Sequence, residues 1–378
     1  MNKVTVIGAG AWGTTLAQVL SDAGNEVLLW ARNNEVVTEI NSKHTNEQYL
    51  SGILPSNLKA TSNIEAALSH SDVYVLAIPT QQLRPMLKAW APLINKDAVI
   101  VSTLKGIELT SDLRVSEVIA EEWGEVKFAL ITGPNLADEL SMRQLAGAVV
   151  ASSNIEVAKR VQELFTTDYY RVYTSTDVMG CELAGAIKSV IALSVGMAIG
   201  MGFGENTQSM LITRGLHEIS RMCAAHGSDP LTAASLAGMG DLVASCGSPL
   251  SRNRTFGEVL GQTQSMEITR QRVAKTVEGV STSRAALELA HRVGVEVPII
   301  EAVADVVAES ISPRDAFLPP TDSTSVMRNA SKGTTRRSLR CLFIDFPKHK
   351  LKKHGDLAQI GTELWIQWRK FYPLAFAS

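Results

Sequence analysis

The sequence predicts an α/β protein: an N-terminal Rossmann-like doubly wound sheet followed by an all-helical second domain. Three observations predict it. A glycine turn, Gly8-Ala9-Gly10-Ala11-Trp12-Gly13, joins a short apolar run, Val4-Thr5-Val6-Ile7, to a helix-like stretch at 14–23. Strand-like and helix-like patterns then alternate down to about residue 151. From about Met179 the strand signals nearly vanish and helical patterns follow one another.

The glycine turn has the context that a dinucleotide-binding turn requires, after a strand and before a helix. Gly8 allows the tight turn, Gly10 lets a pyrophosphate approach the backbone, and Gly13 lets the helix lie close to the sheet. Free N–H groups and the helix dipole then attract the phosphates. A plain Gly-rich βα turn is the alternative. The second strand reads as Glu26–Trp30. An acidic residue that bonds the ribose usually follows such a strand, but Arg32-Asn33-Asn34 stands here. A guanidinium can hold a 2′-phosphate, so NADP(H) is favoured, with NAD(H) possible and Glu35 nearby to support it. Arg32 could also be a solvated cation or stack on the adenine.

Further strands are expected at 3–8, 73–78, 98–102, 126–131 and 147–151. The βα repetition implies a parallel sheet, whose ligands sit beyond the C-terminal strand ends. Three of those ends carry suggestive residues: Pro79-Thr80, Thr103-Leu104-Lys105-Gly106 and Thr132-Gly133-Pro134-Asn135. Helices are expected at 178–201, 207–226, 230–236, 251–260 and 281–293. The domains divide as 1–180 for the dinucleotide, 181–330 for the substrate and 331–378 as a basic extension of unassigned role, with a packed junction between the first two.

The 378 residues suffice for two or three domains with a large core. A net charge of −2 argues against nucleic acid as a partner. Cys181, Cys223, Cys246 and Cys341 are far apart with no CxxC pair, which argues against a metal site or disulfide framework and fits a reducing cytoplasm. The start of the chain lacks a basic segment followed by an apolar one, so no signal peptide is expected. The apolar stretch 189–204 is short for a membrane span and is flanked by Glu182, Lys188 and Glu205, so it reads as a buried core helix.

Four places carry candidate chemistry. Lys188, flanked by Ala, Ile and Val on a helix, is a candidate general base, because burial disfavours its ammonium form. It could instead snorkel or pair with Glu182 or another carboxylate. Lys105, in a Gly-bounded loop after a strand, is placed to orient a substrate. Asp241, in the turn Gly238-Met239-Gly240-Asp241, could accept a hydroxyl, hold a lysine or cap a helix. Ser251-Arg252-Asn253-Arg254 opens a helix with Ser251 as N-cap. Its hydroxyl, guanidinium, amide and backbone N–H groups make a phosphate cradle, and an anion there would offset two arginines that oppose the helix dipole.

The extension 331–378 holds ten Lys or Arg against three Asp or Glu, a formal +7 that leaves −9 for residues 1–330. Leu357, Ile360, Leu364, Trp368 and Phe371 recur at helical spacing as one apolar stripe. The segment reads either as a surface for an anionic membrane or as a solvated, readthrough-like addition.

Taken in order, these segments resemble the bacterial-type NAD(P)-dependent glycerol-3-phosphate dehydrogenases. The resemblance rests on Gly8–Gly13 with Trp12, Leu104-Lys105-Gly106-Ile107-Glu108, Gly133-Pro134, Gly185-Ala186-Ile187-Lys188, Thr213-Arg214-Gly215, Gly238 to Asp241 with Leu242, Ser251 to Arg254 and Val277-Glu278-Gly279. It covers about 1–330. It implies reversible reduction of dihydroxyacetone phosphate to sn-glycerol 3-phosphate for phospholipid synthesis, by a homodimer. It implies Lys188 as proton acceptor, with Lys105 and Asp241 beside it. It implies substrate contacts at Lys105, Gly133, Asn135, Lys188, Asp241, Ser251, Arg252 and Asn253. Cofactor contacts are implied at the glycine turn, Trp12, Arg32, Lys105, Ala137, Arg252, Thr276 and Glu278. Four positions depart from the family pattern. Asn135 stands for Ser or Thr, Ser189 for Asn, Ala11 for Ser and Thr276 for Val. Two other readings compete: a different two-domain dehydrogenase for hydroxy acids or sugar acids, and a non-catalytic dinucleotide sensor.

Overall fold

The computed structural model describes residues 1–273 and 277–317. Thr276 and the extension 331–378 with its apolar stripe lie outside the described residues.

The first half alternates strand and helix: β1 (Lys3–Ile7), α1 (Ala11–Asp22), β2 (Glu26–Trp30), α2 (Asn34–Lys43), β3 (Lys59–Thr61), α3 (Ile64–His70), β4 (Val73–Leu76), α4 (Leu83–Trp90), β5 (Val99–Ser102), α5 (Val115–Trp123), β6 (Lys127–Thr132), α6 (Ala137–Ser141), β7 (Ala146–Ala151), α7 (Ile155–Phe165) and β8 (Tyr170–Ser175). The eight strands form one sheet in the order β3-β2-β1-β4-β5-β6-β7-β8. Several helix starts are written in the sequence. Asn33, Asn63 and Asn154 accept from backbone N–H groups in the first turns of α2, α3 and α7.

The sheet departs from the expected all-parallel arrangement at one place. β7 runs antiparallel to β6, with Thr132 opposite Val149, and β8 then runs parallel to β7. A return to parallel pairing needs a crossover that carries the chain back along the sheet, usually on a full helix. Here the link holds only α6, five residues long. That helix stays against α1, where Thr15 Oγ1 donates to the Ala137 carbonyl and Gln18 Nε2 to the Ser141 carbonyl. The chain therefore enters β7 at the edge where it left β6. Two strands, β3 and β8, were not expected from the sequence. β3 is three residues long, too short to alternate. β8 does alternate, with Tyr170 and Val172 buried and Arg171 and Tyr173 exposed, a readable but brief signal at the sheet edge.

The second half is helical: α8 (Val178–Gly200), α9 (Glu205–Ala225), α10 (Asp241–Gly247), α11 (Arg252–Thr263), α12 (Met266–Arg272), α13 (Glu278–Val293), α14 (Pro298–Val307) and α15 (Pro313–Phe317). α8 is its axis. It is apolar on all sides and packs against α9, α10, α11, α13 and α14. By length and composition it could cross a bilayer, but 89% of its apolar window is buried inside the protein. α11 crosses α8 at glycine contacts. A Cβ on Gly196 or Gly200 would overlap the Arg254 or Glu258 carbonyl, and one on Gly257 or Gly261 would overlap the Leu193 or Met197 carbonyl.

Polar groups anchor the start of α8, and Glu182 ties it to α5 of the first half. Asp177 caps α8 by accepting from Gly180 N–H, and takes hydroxyl bonds from Ser228 and Thr232. Burial would raise its pKa, but these donors hold it below the usual carboxylate range. Glu182, the partner considered for Lys188, pairs instead with Arg114 at 2.5 Å and accepts from Ser116 at the start of α5. Burial, set against the Arg114 charge, pushes its carboxyl up.

Candidate active site

The C-terminal ends of β1, β2, β4, β5 and β6 all open on one edge of the sheet. The glycine turn follows β1. Gly8 has φ +116°, where a side chain is strained, and a Cβ on it would also overlap the Ala77 carbonyl. A Cβ on Gly13 would overlap the Gly8 carbonyl, so α1 lies close against the turn. Gly10 borders open space, and α1 has no side-chain cap. Its first N–H groups are therefore open to an anion. Trp12 Nε1 is buried with no hydrogen-bond partner among the described residues. Arg32 is exposed just past β2, while the neighbouring Asn33 is committed to capping α2. The donors, the close backbone and the uncapped helix fit a dinucleotide.

After β4, Thr80 reaches the second half of the chain. Its N–H donates to Glu278 Oε1 at 3.3 Å, at the start of α13. Gly106 lies against this pair, with a Cβ site 2.9 Å from Glu278 Oε2. Burial pushes the Glu278 carboxyl up, opposed by the Thr80 N–H and by the charge of Arg252. Glu278 thus ties the loop after β4 to the start of α13.

Next to it lies the charge cluster. Lys105, after β5, donates from Nζ to Asp241 Oδ2 at 2.6 Å and to the Gly133 carbonyl at 3.1 Å. Lys188 of α8 reaches Asp241 Oδ1 at 3.0 Å and Ser245 Oγ at 2.7 Å. One carboxylate therefore holds two ammonium groups. Asp241 is 2% and Lys188 8% exposed. Burial would raise the Asp241 pKa, but Lys105 and Lys188 together hold it below the usual carboxylate range. Burial pulls Lys105 down to about 8. Asp241 opposes that shift and the charge of Lys188 adds to it.

Asp241 does not cap its helix: Gly240 occupies the N-cap of α10 and Asp241 is the first helical residue. That leaves both its oxygens for lysines. Gly133, at φ +145°, offers its carbonyl to Lys105, and its Cβ site would meet the Ala148 backbone at 3.0 Å. Asn135, beside it, has both side-chain polar atoms buried without a partner among the described residues. Ser251 caps α11, accepting from Arg254 N–H at 3.4 Å. Asn253 Oδ1 accepts from Gly279 N–H at 2.9 Å, which leaves its NH2 group for another acceptor. Arg252 is exposed at the same turn. Ala137 begins α6, against α1.

Sequence reading missed Ser245 and gave Thr80 no role. Ser245 is four residues after Asp241 and shares its helix face, a spacing readable once a helix rather than a turn starts at Asp241. Thr80 was marked only by its place past a strand. Thr132, at the end of β6, is buried with its hydroxyl unpartnered among the described residues, 3.1 Å from the Cβ site of Gly185 on α8.

Comparison with known proteins fits this geometry. Residues 3–158 match the model of the NAD-dependent glycerol-3-phosphate dehydrogenase N-terminus, and 177–318 that of its C-terminus. A relative from Thermobifida fusca, a glycerol-3-phosphate dehydrogenase (NAD(P)+), is 49% identical over 84% of this chain and 96% of its own length. Another of the same name, from Corynebacterium diphtheriae, is 52% identical over 80% and 92%. The crystal structure of the glycerol-3-phosphate dehydrogenase of Coxiella burnetii superposes with a TM-score of 0.79 at 32% identity, covering 83% of this chain and 96% of that one.

Proposed function

The chain belongs to the NAD-dependent glycerol-3-phosphate dehydrogenase family, and from that premise we propose how its residues divide the work. It is an NAD(P)-dependent oxidoreductase that interconverts dihydroxyacetone phosphate and sn-glycerol 3-phosphate. One observation carries the assignment of roles: two ammonium groups on one buried carboxylate, Asp241, at the sheet edge that also carries the glycine turn.

When bound, the nicotinamide supplies or accepts the hydride. The glycine turn and the start of α1 would hold the pyrophosphate, Trp12, Ala137 and Glu278 would contribute to the cofactor site, and Arg32 would pair with the 2′-phosphate of NADP. Lys188, as an ammonium, donates its proton to the ketone oxygen during reduction. As an amine it takes the hydroxyl proton during oxidation. Asp241 and Ser245 fix its direction. Lys105 adds a second positive charge beside the developing alkoxide, and the carbonyl of Gly133 aims it. With one carboxylate between two ammonium groups, the cluster carries a net positive charge suited to that oxygen. Ser251, Arg252 and Asn253 grip the phosphate, and Asn135 supplies a donor beside Gly133. Binding energy far from the reacting carbon thereby orients it.

A second reading of the proton step has one observation in its favour. Lys105, drawn to about 8, exchanges protons near neutral pH and could share the step with Lys188. We place the enzyme in the cytoplasm as a homodimer that feeds glycerophospholipid synthesis. Membrane contact through 331–378 would show as liposome sedimentation lost on truncation.

The test of function is a substrate panel. Dihydroxyacetone phosphate should oxidise NADPH, phosphate-free dihydroxyacetone should be turned over at least 100-fold less efficiently, and small β-hydroxy acids should not reduce NADP. Comparable turnover of the β-hydroxy acids would support the hydroxy-acid alternative. Cofactor binding without turnover of any phosphorylated ketone would support the sensor.

A further inference from the structure

Behind the glycine turn lies a side chain that the chemistry above does not use. Asn46, in the loop after α2, is 1% exposed. Its Nδ2 donates to the Ala9 carbonyl at 3.0 Å and to Thr14 Oγ1 at 2.8 Å. A carbonyl can only accept, so the atom facing Ala9 must be the NH2 group. Its Oδ1 is buried with no hydrogen-bond partner among the described residues. Such an orphan acceptor disfavours the fold, so fold stability alone does not account for an asparagine here.

The loop holds Asn46 firmly. The N–H groups of Tyr49 and Leu50 both return to the Asn46 carbonyl at 2.9 Å, and Leu54 N–H bonds the His44 carbonyl at 2.7 Å. On the preceding helix, the Glu39 carboxylate accepts from Thr45 Oγ1 and Glu47 N–H. The side chain therefore projects from a braced loop into the glycine turn.

We propose that Asn46 is a positioning residue for the dinucleotide: by holding the Ala9 carbonyl, it aims the Gly10 N–H at the pyrophosphate. This deepens the cofactor reading and rests on it. The link is stereochemical. In a trans peptide the C=O and the N–H that follows it lie in one plane and point in opposite directions. A carbonyl drawn towards Asn46 thus turns the Gly10 N–H away from the loop. Gly10 borders open space and caps α1 with no side chain of its own, so its backbone direction decides what the phosphate meets. The second bond, to Thr14 in the first turn of α1, keeps turn and helix in one orientation.

The test uses the full chain with Asn46→Leu, which removes both donors, and Asn46→Asp, which keeps the size and also removes them. NADPH affinity is measured by fluorescence titration, beside the melting temperature without cofactor and the steady-state constants. NADPH Kd should rise about tenfold in both variants. At saturating NADPH, kcat and the KM for dihydroxyacetone phosphate should stay within about twofold of wild type, and the unliganded melting temperature within a few degrees. A Kd within twofold of wild type in either folded variant would overturn the proposal. So would a rise in Kd that comes with an equal rise in substrate KM and a collapse of the unliganded fold. If Asn46→Leu does not fold, Asn46→Asp carries the test. Wild-type enzyme that fails to bind NADPH would remove the cofactor reading itself, an outcome separate from either.

Discussion

Asp241 shows how much one residue decides. Without its carboxylate, two ammonium groups would face each other in a nearly dry site. Breaking one partner of such a buried pair costs about 3–5 kcal/mol. Asp241→Asn should therefore lower the melting temperature by several degrees and reduce kcat by at least about 100-fold, measured on the same preparation. The pH dependence follows from the shift. The folded pKa of Asp241 lies below its unfolded value, so this stabilisation is present above the unfolded pKa and is lost as pH falls through the folded one. Lys105 gives the alkaline counterpart. Its charge fades above about 8, so kcat/KM for ketone reduction should fall there. Lys105→Arg, which keeps its charge, should move that limb upward even if the rate is lower. A limb that stays in place would assign it to another group. The residue types of this cluster were legible in the sequence, and a lysine on Asp241 was among the options, but which lysines it holds was not. Glu182 sits six positions from Lys188 and invited pairing, whereas the actual partner, Asp241, is brought in by a separate helix.

At the scale of elements, the distance between base and phosphate cradle is set by helix packing. Lys188 lies on α8, and Ser251 to Asn253 open α11. The two helices touch through Gly196, Gly200, Gly257 and Gly261. In an exposed helix, Gly→Ala would stabilise by up to about 1 kcal/mol. Here the methyl group meets a backbone carbonyl, so the sign reverses. Gly257→Ala should destabilise by about 1–3 kcal/mol and raise the substrate KM, as read by denaturant unfolding and steady-state kinetics. The strands and helices that build the site were legible because their apolar runs are long or capped by Asn, Asp or Ser. The reversal at β7 was not, because it depends on where α6 docks rather than on any pattern within β7. Asn46 left no signal either, since a loop asparagine announces nothing about which carbonyl it will meet.

For the whole molecule, the sheet edge and the helical half form one chain of contacts: Gly8 to Ala77, Thr80 to Glu278, Lys105 to Asp241, and Asp241 to Lys188. Cofactor binding should therefore stabilise both halves together. NADPH at 100 times its Kd should add about 2.7 kcal/mol and raise a single cooperative transition. Two separated transitions, with only one of them shifted, would show that the halves respond independently. The most direct measurement is turnover by Lys188→Ala, with dihydroxyacetone phosphate and NADPH both saturating and NADPH affinity measured in parallel. In that variant kcat should fall by at least about 1,000-fold while NADPH Kd stays within about threefold. Turnover near the wild-type rate would contradict Lys188 as the proton donor.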